Sequence, residues 1–165
     1  MDKQLFIVGY MGAGKTSLAQ TLSQQWNVPC WDSDALLEQR FGLPADEQVA
    51  SDEKLFRNRE SRLLEQLATI QWGVASLGGG IIEEQENRKL LKKLPVIFLD
   101  TDVDTCWQRV KEENRQRPLA VNYDSFCFIY QRRRELYLEC SRWSVLGTYA
   151  YQDILQLLED QAKAL

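Results

Sequence analysis

Short apolar runs alternate along this chain with longer stretches whose apolar residues recur every three or four positions. Leu5-Phe6-Ile7-Val8 has no polar interruption and reads as a buried strand. Thr16 to Trp26 follows with a helical period, and Pro29-Cys30-Trp31 is a brief second strand. Asp34 to Phe41 reads as a helix that stops at Gly42, a residue suited to the left-handed position after a helix. Ser51 to Ile70 predicts a long helix, started by Ser51-Asp52-Glu53-Lys54, with Leu55, Leu63, Leu64 and Leu67 on one face. Gly73 to Leu77 is the third strand, Glu84 to Lys92 a helix, and Pro95 to Leu99 the fourth strand. Thr105 to Lys111 is again helical, 111–122 is a polar, basic loop holding Pro118, and Asp124 to Cys140 is helical. Trp143 to Leu146 is the fifth strand and Tyr149 to Ala164 the last helix. Strands and helices in this alternation predict βαβ units and a parallel sheet. No repeat, low-complexity tract or linker divides the sequence, so one domain over 1–165 is expected.

Composition narrows what such a sheet serves. The net charge is -4, which argues against a nucleic-acid or membrane-surface binder. An anionic ligand must then be captured by local Arg and Lys. The start, Met1-Asp2-Lys3-Gln4, runs straight into the first strand without a signal peptide, and no apolar run approaches the ~20 residues of a membrane span. A cytoplasmic location is expected. Cys30, Cys106, Cys127 and Cys140 do not fall at metal-ligand spacing, and histidine is absent, which argues against zinc. Any general base must be a carboxylate, Lys, Tyr or Cys.

Gly9-Tyr10-Met11-Gly12-Ala13-Gly14-Lys15-Thr16 fits the Walker A pattern between a strand and a helix. Glycines let backbone N–H groups curl around phosphates, and the helix N-terminus adds its positive pole. Gly12, Ala13, Gly14, Lys15, Thr16 and Ser17 are the candidate ATP-binding residues, with Lys15 reaching the β- and γ-phosphates and Thr16 offering its hydroxyl to Mg²⁺. GTPases and ATPases share this loop, so it implies a nucleotide and Mg²⁺ but not yet a kinase.

Further candidates follow where ligands gather in open parallel sheets, at the carboxyl ends of the strands. Asp32 and Asp34 lie just past the second strand. One can steady Mg²⁺ through water, and the other can accept or orient the proton of an attacking hydroxyl. The plain alternative is that Ser33 or Asp34 caps the next helix. Arg57, with Glu60 one turn later, can clamp a substrate carboxylate or lie on a solvated surface. Gly78-Gly79-Gly80 lets a ligand approach the backbone, or is a loose loop. Arg115 and Arg117 sit in the polar loop, where a lid arginine can close over transferring phosphate. Arg132-Arg133-Arg134 precedes Tyr137 and reads either as a solvated face or as part of the site.

Taken together these segments resemble the shikimate kinase family from about Leu5 to Tyr137. The P-loop, Asp32-Ser33-Asp34, Phe56-Arg57-Asn58-Arg59-Glu60, Gly78-Gly79-Gly80, Arg117-Pro118-Leu119, and Arg133 before Leu136-Tyr137 occur in the family's order. The resemblance implies a three-layer αβα P-loop kinase fold with a five-stranded parallel sheet of order 2-3-1-4-5, a substrate-binding region about 32–62 and a lid about 111–122. It implies ATP-dependent phosphorylation of shikimate to shikimate 3-phosphate, toward chorismate and the aromatic amino acids. Lys15, Asp34 and Arg117 would be catalytic; Asp34, Arg57, Gly79 and Arg133 would bind shikimate; Thr16 and Asp32 would hold Mg²⁺. After Leu146 the chain passes through Gly147 almost directly into its last helix, so the family's adenine-packing loop is several residues short. Arg109 is then the candidate to stack on the base. The partners expected are shikimate and ATP only, with no nucleic acid or membrane, and the chain is expected to be a monomer. Two other readings stay open: a kinase for another polyhydroxy acid such as gluconate, and a nucleotide- or metabolite-binding paralogue without turnover. A GTPase is disfavoured, since no Asn-Lys-x-Asp segment occurs.

Overall fold

The uninterrupted apolar run near the N-terminus is the centre of the sheet. In the computed structural model, which describes residues 4–113, 122–147, 152–154 and 156, β1 (Gln4–Val8) pairs in parallel with β3 (Gly73–Ser76) on one edge and β4 (Val96–Asp100) on the other. A strand with neighbours on both edges and helices over its faces has no wet side, hence no alternation of polar residues. β2 (Cys30–Asp32) flanks β3, and β5 (Trp143–Leu146) flanks β4. The observed order β2-β3-β1-β4-β5, all parallel, is the one the resemblance implies.

Among the described residues six helices connect the strands: α1 (Lys15–Trp26), α2 (Ser33–Phe41), α3 (Ala45–Ala68), α4 (Gln85–Leu91), α5 (Val103–Glu112) and α6 (Tyr123–Cys140). α1 packs against β2 and β3; α6 lies against β4, with α4 and α5 packed on it. The register aligns Asp32 with Ser76, Ile7 with Ser76, and Asp100 with Leu146. Those polar residues therefore share the carboxyl edge of the sheet. No helix among the described residues is long and apolar enough to cross a membrane.

The sequence pattern misjudges one helix. α3 begins at Ala45, not Ser51, with Pro44 at its cap and Asp46 and Glu47 in its first turn. Asp52 interrupts it with non-helical angles (φ -156°, ψ 93°), and its carboxylate accepts the Leu55 N–H at 2.9 Å. The helix therefore restarts where the sequence pattern starts it, after a segment that pattern leaves out. The restart sets the phase. Phe56, Arg57, Glu60, Leu63, Leu64 and Leu67 are buried, whereas Leu55, expected on that face, is 44% exposed. The remaining elements begin and end within about three residues of expectation, with Gly42 left-handed after α2 as its position suggests. Most of the predicted last helix and residues 114–121 lie outside the described residues.

The corrected face can be checked by denaturation. Leu64→Ala, at a site 1% exposed, is expected to cost about 3 kcal/mol, and Leu55→Ala less than about 1 kcal/mol. Equal losses at the two positions would mean that the assigned phase of α3 is wrong.

Candidate active site

The loop between β1 and α1 is shaped to receive an anion. α1 starts on Gly14, which has no side chain to cap the helix, and its first turn holds no acidic residue. By contrast α2, α5 and α6 are capped by Asp32, Asp102 and Asn122. The first N–H groups of α1 thus keep their hydrogen-bonding capacity and positive pole for a ligand. Gly12 is left-handed (φ 77°), and a Cβ there would stand 2.5 Å from the Cys106 carbonyl. Loop carbonyls have side-chain donors: Lys15 Nζ donates to Tyr10 O at 3.0 Å, Thr101 Oγ1 to Ala13 O at 2.9 Å, and Arg109 Nη1 to Gly12 O and Ala13 O at 3.2 Å each. A cavity of about 740 Å³ opens over the loop, lined by Lys15, Thr16, Asp32, Asp34 and Arg109, and bounded farther out by Ile154.

Asp32 joins this loop to the next element. Its Oδ2 accepts the Thr16 hydroxyl at 2.6 Å, and its Oδ1 accepts the N–H groups of Asp34 and Ala35 at 3.0 and 3.1 Å. The helix cap is therefore Asp32, not Ser33 or Asp34. Ser33 instead accepts the Gly78 N–H at 2.8 Å. Thr16, Asp32 and Ser76, whose hydroxyl lies 3.5 Å from that of Thr16, form a small set of hard oxygen donors. The described residues contain no group of three or more metal-ligating side chains. Such a sparse oxygen set suits Mg²⁺, which keeps most of its shell as water and phosphate.

A second wall forms around the glycines after β3; of its residues Asp34 lines the cavity, while Arg57, Glu60, Gly79 and Arg133 do not. A Cβ on Gly78 would stand 2.6 Å from Asp34 Oδ1 and 2.7 Å from Glu60 Oε1; one on Gly80 would overlap the Arg57 guanidinium. Two of the three glycines thus make room for protein side chains, not for a ligand's close approach. Gly79 faces ordinary contacts only, and its carbonyl accepts the Tyr137 hydroxyl at 2.6 Å. Arg57 is 8% exposed and pairs with Glu60, and with Glu53 at 3.3 Å. Its Nε is buried and has no hydrogen-bond partner among the described residues. Burial works against the Arg57 charge, but the two glutamates outweigh it and raise its pKa. Burial pushes Glu60 up to about 7, with the Asp34 charge adding to the rise and Arg57 and Arg133 opposing it. Arg133 is 3% exposed and donates through Nε to Glu83 at 2.7 Å.

Asp34, Arg57 and Arg133 thus share one electrostatic neighbourhood centred on Glu60, beside the P-loop and Gly79. Gly12, Ala13, Gly14, Lys15, Thr16, Ser17 and Arg109 line the cavity that Asp34 also lines. Arg109 engages loop carbonyls, a contact the stacking expectation does not include. Arg117 lies outside the described residues. Ser76, Glu83, Thr101 and Tyr137 have contacts in this region that the sequence pattern does not single out. The signal for Ser76 is its position as the last residue of β3, aligned with Asp32. Glu60, visible as the i+3 partner of Arg57, is the hub of the acceptor side.

The chain is similar over most of its length to proteins of one family. The profile of the family described as "Shikimate kinase" matches residues 11–161. A shikimate kinase of Enterococcus faecalis is 32% identical over 148 residues, 87% of this chain and 88% of that protein. One of Haemophilus influenzae is 40% identical over 127 residues, 74% of this chain and 69% of the relative. The solved shikimate kinase of Acinetobacter baumannii in complex with shikimate superposes with a TM-score of 0.87 at 28% identity, covering 96% of this chain and 94% of that one.

The Glu60 environment has a measurable consequence. A carboxyl whose folded pKa lies above the ordinary 4.5 binds more protons folded than unfolded between 4.5 and about 7, so its contribution to stability falls as pH rises through that window. The melting temperature of the wild type is therefore expected to drop relative to Glu60→Gln between pH 4.5 and pH 7. A constant difference across that range would contradict the burial-driven shift.

Proposed function

The chain belongs to the shikimate kinase family, and from that premise we propose that it transfers the γ-phosphoryl group of ATP to shikimate, giving shikimate 3-phosphate, within a single P-loop kinase domain. The observation that carries the reading is the guanidinium of Arg57, buried beside the glycine run with an unpartnered Nε, next to a carboxylate pair and the phosphate loop. A guanidinium kept charged by neighbouring carboxylates beside the phosphate loop suits a small anionic acceptor. Arg133 supplies the second positive charge on the same wall.

Asp34 orients the attacking hydroxyl and takes its proton as oxygen bonds to the γ-phosphorus. The bond from that phosphorus to the β–γ bridging oxygen breaks, and ADP leaves. Lys15 offsets charge on the β- and γ-phosphates, and Arg117 reaches them from the lid. Backbone N–H groups of the loop and of Thr16 and Ser17 hold the phosphates, and Arg109 stacks on the base. Thr16 and Asp32, with Ser76 beside them, would hold Mg²⁺, which supplies charge neutralisation on the phosphates. With charge spread over the transferring group, most of the acceleration would come from positioning and preorganised dipoles. The reading is completed by a cytoplasmic monomer that acts on its two small substrates without nucleic acid or membrane.

A coupled assay with ATP and shikimate, and gluconate as the competing acid, tests this. Product is expected with shikimate, with at least ~100-fold loss for Asp34→Asn and a larger loss for Lys15→Ala. Chelation of Mg²⁺ should stop turnover. ATP binding without product at millimolar shikimate would instead favour a non-catalytic paralogue, and an active Asp34→Asn would remove the base role.

A further inference from the structure

Glu83 has no part in the reading above, yet it is tied to one of its central groups. Its Oε1 accepts from Arg133 Nε at 2.7 Å and from Arg132 Nη2 at 2.7 Å. The two arginines differ: Arg133 has a side chain 4% exposed, Arg132 one 55% exposed. The two Nη nitrogens of Arg133 have no hydrogen-bond partner among the described residues. A guanidinium offers two planar forks, and filling the Nε position from one side leaves the Nη pair as the outward fork.

The mount under Glu83 is rigid. Its N–H donates to Gly80 O at 2.9 Å, and its own carbonyl accepts from Arg88 Nη1 at 3.0 Å. Arg88 also donates to Ile82 O at 2.6 Å, and Asn87 Nδ2 to Ile81 O at 3.0 Å. Ile81 and Ile82 are buried. One turn along α6 from Arg133, the Tyr137 hydroxyl is fixed to Gly79 O at 2.6 Å. The glycine segment is thus tied to α6 twice, by Tyr137 and by the Glu83–Arg133 pair, and Arg133 stands at the second tie.

We propose that Glu83 is a positioning residue for the acceptor: it fixes the Arg133 guanidinium through Nε so that the Nη pair meets the acceptor carboxylate end-on. Glu83 does not touch the substrate; it sets the direction of the group that does. This rests on the assignment of Arg133 to the acceptor carboxylate. Arg132 shares the same oxygen from solvent and partly offsets the negative charge that Glu83 brings toward an anion.

Steady-state kinetics and side-chain NMR of Glu83→Ala, Glu83→Gln and Arg132→Ala test the proposal together. Glu83→Ala is expected to raise KM for shikimate about tenfold, the effect of losing one hydrogen bond to a charged group, while KM for ATP stays within twofold. Glu83→Gln keeps an acceptor oxygen and should recover most of that loss. Arg132→Ala should stay within twofold on both substrates. The Arg133 Nε–Hε resonance, assigned by its loss in Arg133→Lys, should shift in Glu83→Ala and not in Arg132→Ala. A shikimate KM within twofold of wild type in Glu83→Ala, or a rise shared equally by ATP, would overturn the positioning role. If the wild type does not phosphorylate shikimate, the functional reading fails on that measurement. The Nε resonance still decides the Glu83–Arg133 tie, and its failure to shift would overturn that too.

Discussion

The acceptor side depends on the missing side chains at Gly78 and Gly80. Neither glycine has a left-handed backbone; each is required because another group occupies the space of its Cβ. Asp34 and Glu60 converge on Gly78, and the Arg57 guanidinium covers Gly80. A side chain at either position would have to displace those side-chain ends from the turn after β3. The phosphate loop is tied to the same region through Thr16, Asp32 and the first N–H groups of α2. One short segment thus bears on side chains from both α2 and α3.

The two halves of the site satisfy burial in opposite ways. The phosphate loop has no acidic side chain in the first turn of α1, and its carbonyls accept from Thr101 and Arg109. Its electropositive character therefore comes from backbone dipoles, which need no counter-ion. The acceptor half uses whole charges, and buried charges persist only when paired. Arg57 has Glu60 and Glu53, and Arg133 has Glu83. Among the described residues, pairing leaves each guanidinium with part of its donor set uncommitted: Nε in Arg57, and the Nη fork in Arg133, whose bond to Glu83 is through Nε.

Much of this is legible in the sequence where a local rule has no competitor. The uninterrupted run Leu5–Val8, the Walker A spacing and the end of α2 at Gly42 each depend on neighbours close in the chain, and strand order followed the family pattern. What the pattern misses depends on tertiary phase. Within the regular part of α3 the 3.6-residue repeat that buries Phe56, Glu60, Leu63, Leu64 and Leu67 turns Leu55 outward, though nothing in the local hydrophobic count favours a buried glutamate over a leucine. For Asp32 the sequence reading offers a metal role, and it gives the cap of α2 to Ser33 or Asp34. The two Asp32 oxygens divide those contacts, one to the helix N–H groups and one to Thr16, which one-residue-one-role reasoning does not anticipate. Glu83 follows a glycine run and precedes a short helix, and nothing local marks it; only the fold brings it against Arg133.

The net charge of -4 looks ill-suited to a protein whose substrates are anions. The buried arginines resolve this, because their requirement for carboxylates is itself a source of acidic residues. Glu53, Glu60 and Glu83 are the counter-charges that let Arg57 and Arg133 stay inside the protein. On the proposed reading, an acceptor carboxylate would meet donors already held in place, which lowers its ordering cost. Beyond about 10 Å, salt screens the overall acidity, while the buried pairs act at contact distance and in a lower dielectric. Selection for an anion is therefore set by local donor geometry, and a carboxylate of the protein is what holds each donor in that geometry.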